Sequence, residues 1–172
     1  MHTNSSYSLR GCKLTRQRKC ELALVEACQL GDCVKVRKLL EQGVSPKSVG
    51  TFGWTALQEA ASEGHTAVVC LLCSSNCELD FLGTAGETAL HKCAANNDVK
   101  TMDVLLSSGC GVDVSNSGGH SPLHVTAYHN HLEAAHLLLC YNADVRARDR
   151  WNQTPLHRAA GKRNACIMEC CN

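Results

Sequence analysis

Aromatic residues, net charge and long apolar runs are all scarce in this sequence of 172 residues. Aromatics make up 4 % of the chain, which argues against a core built on large rings, and a net charge of +1 argues against a globally basic nucleic-acid binder. No apolar run approaches the roughly 18 residues of a membrane-spanning helix. Residues 1–5 lack the apolar core of a signal peptide. We therefore expect a protein of the cytoplasm, the nucleus or both, without a membrane partner.

Cysteine, in contrast, is abundant, with 13 copies. In a small secreted chain such a number would indicate a disulfide framework, but without a signal peptide free thiols are the better expectation. Cys70 and Cys73 form a single CxxC pair, and no second pair follows at the spacing of a zinc finger. Disulfides and a zinc site remain the alternatives, and we predict no metal and no cofactor.

An internal repeat organises most of the chain. Four short strings start at a constant spacing, at positions 55, 88, 121 and 154. They are Thr55-Ala56-Leu57-Gln58, Thr88-Ala89-Leu90-His91, Ser121-Pro122-Leu123-His124 and Thr154-Pro155-Leu156-His157. Small residues follow each string and a Leu pair, or its remnant, comes later in each unit. The same register extends back once more, to the segment that contains Leu24 and Val36.

This pattern resembles the ankyrin repeat, whose period is about 33 residues and whose first helix starts with Thr-Pro-Leu-His. The resemblance covers roughly positions 21–172 and implies an all-α solenoid of about five stacked helix-turn-helix units joined by β-hairpin-like turns. Thr or Ser at the start of each first helix can cap free backbone N–H groups. Each helix is too short to be stable alone, so stacking must stabilise the array.

The repeat register divides the chain into segments. Residues 1–19, which carry five basic residues and no acid, are predicted to be a flexible basic tail, or alternatively a nuclear-import signal. Residues 20–172 form the repeat domain. Its units are 20–50, 51–83, 84–116, 117–149 and 150–172. The first unit is expected to act as a cap, and the fifth stops at its second helix and is truncated.

The resemblance also indicates where a partner would bind. In this family the variable positions lie on the turn tips and first-helix faces, which together form a concave surface. Our protein-binding candidates at these positions are Phe52, Trp54, Glu63, Glu87, His120, Tyr128, His129, Arg150, Trp151 and Lys162. Four of the seven aromatics fall in the variable set, and aromatics commonly anchor interfaces. The alternative is that each ring packs on its neighbouring turn and stiffens the hairpin.

Charge is distributed unevenly along the repeats. Residues 20–143 are acidic in balance, whereas residues 144–172 carry six basic and three acidic side chains. A partner with an acidic stretch opposite the fifth unit and an apolar one opposite Trp54 would fit. Such fields affect association rate and register more than affinity.

The histidines and cysteines suggest chemistry that the repeat explains more simply. In the family, the imidazole at the position of His91, His124 and His157 bonds the backbone of a neighbouring turn. A Cys–His nucleophile would need a pocket with oxyanion donors, which a stacked-helix array does not offer. We therefore predict no catalytic residue, no enzyme activity and no small-molecule substrate.

The sequence therefore predicts a non-catalytic adaptor that binds another protein through its concave groove and turn tips. A regulatory subunit or inhibitor that blocks a partner enzyme or transcription factor is the alternative. A nucleic-acid-associated factor using the basic tail is a third hypothesis, which the acidic middle of the chain disfavours.

Overall fold

The computed structural model describes residues 15–162. Its α-helices are α1 (Arg16–Gln29), α2 (Cys33–Glu41), α3 (Ala56–Ser62), α4 (Thr66–Ser74), α5 (Ala89–Asn96), α6 (Val99–Ser107), α7 (Pro122–His129), α8 (Leu132–Cys140) and α9 (Pro155–Gly161). A single 3₁₀ turn covers Thr84–Gly86, and no strand occurs between residues 15 and 162. The predicted all-α class is confirmed.

The helices pack in two layers. The odd-numbered helices α1, α3, α5, α7 and α9 stack side by side in chain order, and we call them the inner helices. The outer helices α2, α4, α6 and α8 form a second layer behind them. Each even-numbered helix also packs on the helix that precedes it in the chain. This is the arrangement of a helical solenoid, in which each unit contacts its neighbours.

The recurring Thr or Ser caps the inner helices as the sequence predicts. The N-cap residues of α3, α5, α7 and α9 are Thr55, Thr88, Ser121 and Thr154, respectively. The residue three places later bonds back to the backbone of the cap residue, which completes a capping box. Pro122 and Pro155 occupy the first helical position, where no hydrogen bond is lost. The repeated string therefore starts every inner helix after the first.

The core is built from columns of residues that occupy equivalent positions in successive units. Leu24, Leu57, Leu90 and Leu123 form one fully buried column, and Val36, Val69, Met102 and Ala135 form another. Small residues let the inner helices approach each other, and Cys28 and Cys93 are buried among them. The outer helices are each followed by a residue in the left-handed conformation, which glycine and asparagine tolerate best: Gly43, Asn76, Gly109 and Asn142.

Four hairpins connect the units, and each is closed by an N–H to carbonyl bond between its first and fifth residues. We label them h1 (50–54), h2 (83–87), h3 (116–120) and h4 (149–153), and the closing bonds measure 2.7–3.0 Å. Only h1 carries an isolated antiparallel bridge, between Val49 and Thr55. The turns are therefore hairpin-like, as the resemblance implied.

Side chains from one unit hold the hairpin of the next. Nε2–H of His91 donates to the carbonyl of His120 (2.9 Å), and Nε2–H of His124 donates to that of Gln153 (3.1 Å). At the equivalent place in the preceding unit, Nε2 of Gln58 donates to the carbonyls of Phe81 and Glu87. This confirms the structural role expected for His91 and His124.

The predicted flexible tail, residues 1–19, extends too far at its C-terminal end. Helix α1 begins at Arg16, so the last four residues of the predicted tail are helical. The physical reason is local: Thr15 caps the helix, while Arg18 bonds Glu21 (3.2 Å) and the carbonyl of Val49 (2.9 Å). Residues 1–14, and the end of the fifth unit at 163–172, lie outside the described residues. The unit boundaries stay a prediction.

Candidate protein-binding surface

The candidate residues lie in the hairpins and at the C-terminal ends of three inner helices. Hairpins h1–h4 carry Phe52, Trp54, Glu87, His120, Arg150 and Trp151, whereas Glu63, Tyr128, His129 and Lys162 stand at the C-terminal ends of α3, α7 and α9. We call the surface formed by the four hairpins and the exposed sides of the inner helices the groove face. The face offers both apolar rings and charges to a partner.

A buried carboxylate organises the end of the groove face at h4. The side chain of Asp149 is inaccessible to solvent and accepts the backbone N–H groups of Trp151 (2.8 Å) and Gln153 (2.9 Å). It also accepts two hydrogen bonds from Arg158, from Nε at 2.9 Å and Nη2 at 2.6 Å. Burial alone would raise the pKa of Asp149. The N–H of Gln153 and the Arg158 guanidinium outweigh that effect and hold the pKa below its usual value.

This ion pair positions an accessible tryptophan. The Trp151 ring stacks on His120 with centroids 5.7 Å apart and an angle of 22° between the planes, and the guanidinium carbon of Arg158 lies 5.2 Å from the Trp151 ring centre. Nη2 of Arg158 donates to Nε2 of His120 at 2.5 Å, so that imidazole is neutral. Burial, followed by the nearby Arg158, lowers the pKa of His120. Trp151 is nevertheless 64 % exposed.

Trp54 is held differently, because its polar edge and one ring face are already in contact with the protein. Its Nε1 donates to Oγ1 of Thr84 (2.5 Å) in the next hairpin, and Nζ of Lys92 lies 4.1 Å from the ring centre. Lys92 also pairs with Glu87 at 2.5 Å. Trp54 therefore packs in part on the neighbouring turn, which is the alternative to partner contact that the sequence left open. Phe52, two residues earlier, is 81 % exposed.

Tyr128 and His129 form a third cluster with Lys162. Nζ of Lys162 lies 4.4 Å from the Tyr128 ring centre, and the rings of Tyr128 and His129 meet edge to face at 5.1 Å. His129 also stacks on His131 at 5.5 Å. Burial, His131 and Lys162 all lower the pKa of His129. Across residues 15–162 no three His, Cys, Asp or Glu side chains are grouped as metal ligands would be.

Two cavities in the groove face bring several candidates together. One of about 350 Å³ is lined by Glu87, His120, Tyr128 and His129, and one of about 300 Å³ is lined by Phe52 and Trp54. Arg150 and Glu63 are exposed and line neither cavity. In the part of the chain that the structure describes, the side chain of Arg150 forms no hydrogen bond or ion pair.

Sequence reasoning missed one column of the groove face. Glu59, Lys92, Val125 and Arg158 recur once per repeat, four places after each cap residue. Glu59 and Val125 line the two cavities, Lys92 covers Trp54, and Arg158 pairs with Asp149. Arg158 is one of the six basic side chains in residues 144–172 from which an acidic partner stretch was predicted, but the buried Asp149 neutralises its charge. The signal in the sequence was the change from acidic to basic, apolar and again basic residues at one repeat position, which is typical of a surface and not of a core position.

The comparison with protein families agrees with this architecture. A family model described as ankyrin repeats (3 copies) matches residues 7–82, 24–116, 74–149 and 90–171. A search of curated proteins found no match. Between residues 15 and 162, no helix has the length and apolar character needed to cross a membrane. Because the family matches span most of the sequence and the stacked helix pairs have the expected form, the chain belongs to the ankyrin repeat family, whose members are generally non-catalytic modules for protein–protein interaction.

Proposed function

We propose that this chain is a non-catalytic adaptor that binds a partner protein across its groove face. The observation that carries the proposal is the environment of Trp151, which is accessible to solvent and yet packs against His120 and Arg158. A ring that is already fixed loses little conformational freedom when a partner covers it. Trp and Arg are also the residues most enriched among interface hot spots.

The charges near Trp151 indicate the character of the partner segment that meets this end. Arg146, Arg148 and Arg150 are exposed and alternate along the chain leading into h4. No acidic side chain within residues 15–162 forms an ion pair with any of the three. An acidic partner segment would therefore meet uncompensated positive charge, which increases the rate of association at low ionic strength.

The test is affinity capture from cytosolic and nuclear extract with matched variants. Wild type is compared with Trp151→Ala and with Val34→Ala, which shortens an 80 % exposed side chain on the outer helix α2. We expect partners that bind wild type and Val34→Ala and are lost from Trp151→Ala. A captured partner is then purified and its direct binding is measured. Equal capture by all three proteins would overturn the proposal.

The same partner distinguishes an adaptor from a regulator. If the partner is an enzyme or a transcription factor, its activity is measured with and without saturating amounts of this chain. Unchanged activity supports the adaptor role, and loss of activity would replace it with the regulatory or inhibitory one. Binding that persists unchanged at high salt would contradict the acidic character that we assign to the segment opposite h4.

A further inference from the structure

The cavity at the N-terminal end of the groove face has a composition that the proposed function does not explain. It measures about 300 Å³ and lies between α1, α3 and h1. Its apolar walls include Leu22 and Val25 from α1 and the rings of Phe52 and Trp54 from h1. Two carboxylates, Glu26 and Glu59, also line it. We call this cavity the Phe52 pocket.

Phe52 gives the pocket an apolar wall that the fold itself does not cover. The side chain is 81 % exposed, although Trp54 in the same hairpin is half-buried and bonded to Thr84. Large exposed apolar side chains beside a cavity are typical of binding sites. The exposed ring therefore offers contact area to an incoming side chain.

Glu59 gives the pocket a charge without a direct counter-ion. The side chain is half-buried and forms no hydrogen bond or ion pair with any residue between 15 and 162. Burial raises the pKa of Glu59, and the nearby Glu63 adds to the effect, while Lys92 opposes it. A carboxylate held in this way interacts favourably with any cation that enters the pocket.

The protein's own lysines near the pocket contact groups other than Glu59. Lys92 pairs with Glu87 and lies over the Trp54 ring, and Nζ of Lys35 lies 3.8 Å from Glu26 with both side chains largely exposed. Neither lysine forms an ion pair with Glu59. The pocket therefore combines aromatic and aliphatic walls with a carboxylate that has no direct cationic partner in the described chain.

We propose that the Phe52 pocket receives the cationic side chain of a lysine or arginine from the partner segment that binds the groove face. The proposal rests on the proposed function and specifies the chemistry of one of its contacts. The alkyl stem of the incoming residue packs on Phe52, Leu22 and Val25, and its charged end meets Glu59 and the aromatic rings. An acidic side chain would be repelled there. An apolar one would leave Glu59 desolvated without a partner, which is costly.

The probe is a library of random peptides displayed on phage and selected on the immobilised chain of residues 1–172. Selection is repeated with Phe52→Ala, Glu59→Gln and Glu78→Gln. Glu78→Gln is the matched control, because it removes the same charge from an exposed position that does not line the pocket. Thermal unfolding checks that each variant is folded. Glu59→Gln keeps the size of the side chain and is expected to fold normally.

We expect the peptides selected on wild type and on Glu78→Gln to be enriched in a lysine or arginine at one position, and those selected on Glu59→Gln to lack this enrichment. One selected peptide is then synthesised with the basic residue or with norleucine in its place. The norleucine peptide should bind wild type about tenfold more weakly, and this difference should disappear with Glu59→Gln.

The outcomes separate this inference from the proposed function. Peptides that bind the groove face, lose affinity with Trp151→Ala and show no basic enrichment would overturn the Phe52 pocket assignment alone. Equal binding of the lysine and norleucine peptides to wild type would overturn it as well. If no peptide is selected by any form of the chain and no protein is captured, both the inference and the proposed function fail.

Discussion

At the residue scale, the described cysteine thiols range from fully buried to exposed, and the two extremes differ in reactivity. Cys28 and Cys93 are fully buried and Cys110 is nearly so, whereas Cys70 and Cys140 are exposed. Burial raises the pKa of Cys28 and Cys110 to about 12, and it also raises the pKa of Cys93. Since the thiolate is the nucleophile, these thiols react slowly with alkylating reagents, because they are inaccessible and stay protonated.

This division predicts the order of alkylation. With iodoacetamide at pH 8, Cys70 and Cys140 should be modified before Cys28 and Cys93, which should react only when the protein unfolds. Mass spectrometry of peptides from a time course measures each site, and a parallel reaction in urea gives the unprotected rates. Modification of Cys93 at the rate of Cys70 in the native protein would contradict the assigned packing.

The sequence could predict which thiols are buried, because the repeat register places Cys28 and Cys93 in columns of small core residues. It could not predict the contacts of Trp54. Those contacts depend on Thr84 and Lys92, which both belong to the next unit. Whether an aromatic residue contacts the next turn or is left for a partner is decided by such distances between units, which the sequence does not contain.

At the element scale, neutral histidines join the inner helices to the hairpins. Nδ1 of His91 accepts the backbone N–H of Thr88 (3.2 Å) while its Nε2–H donates across to the next hairpin, and His124 repeats this with Ser121 and Gln153. Neither imidazole can take up a second proton without losing the bond at Nδ1. The backbone bond accepted at Nδ1 therefore requires the neutral form, whereas the bond from Nε2–H to the next hairpin does not.

The two buried neutral imidazoles predict that stability falls in mild acid. Burial lowers the pKa of His91 and His124 in the folded protein. Once the pH falls through the unfolded value of about 6.5, the unfolded chain binds more protons and the free energy of unfolding decreases. Urea unfolding at pH 7.5, 6.5 and 5.5 should show this loss. A chain with His91→Gln and His124→Gln should show a smaller loss, since Gln58 makes the equivalent bridge with an amide that does not titrate.

A second element-scale prediction concerns the ion pair that holds h4. Arg158→Gln should lower the free energy of unfolding by about 1.5–3 kcal/mol, because it removes two hydrogen bonds to the buried carboxylate of Asp149. Arg150→Gln removes the same charge from an exposed side chain and should change stability by less than about 0.5 kcal/mol. Chemical unfolding measures both. Equal effects of the two substitutions would contradict the role of Asp149.

The sequence predicted the helices and their caps better than the groove face. Caps and cores obey a strict period, so Thr55 predicts what Thr88 and Thr154 do. The column of Glu59, Lys92, Val125 and Arg158 does not repeat its chemistry. What each of its members contacts depends on the residues facing it in adjacent hairpins. Asp149, for example, pairs with Arg158, whereas Asn116 at the equivalent place in h3 binds only backbone N–H groups.

At the scale of the whole molecule, each unit is stabilised by its neighbours and not by a single central core. Helix α5 packs between α3 and α7, whereas α1 has an inner-layer neighbour only in α3 within the described residues. In such arrays stability is close to a sum of unit and interface contributions. Local opening should therefore differ along the chain, with a gradient set by the number of packed neighbours.

This architecture predicts how a core defect spreads. Leu90→Ala empties a fully buried position in α5 and should cost about 2–5 kcal/mol. Hydrogen exchange followed by mass spectrometry should show faster exchange in α3, α5 and α7 and a smaller change in α1. Leu82→Ala, at a position that is 52 % exposed, is the control. A uniform increase over all helices would indicate one cooperative unit instead of an array.

The bonds that link neighbouring units have a consequence for how such a protein changes in length over evolution. Each joins residues close to one repeat period apart, as His91 does with His120, and as the backbone of Ala85 does with that of Ser117. An in-frame duplication of one whole period inside the array therefore supplies each donor that bonds a backbone carbonyl, such as His91, with a new acceptor at the old spacing. A duplication of any other length breaks the links on both sides of the insertion. The hydrogen-bond register thus makes whole units the stretch of sequence that can be copied or deleted with little structural cost.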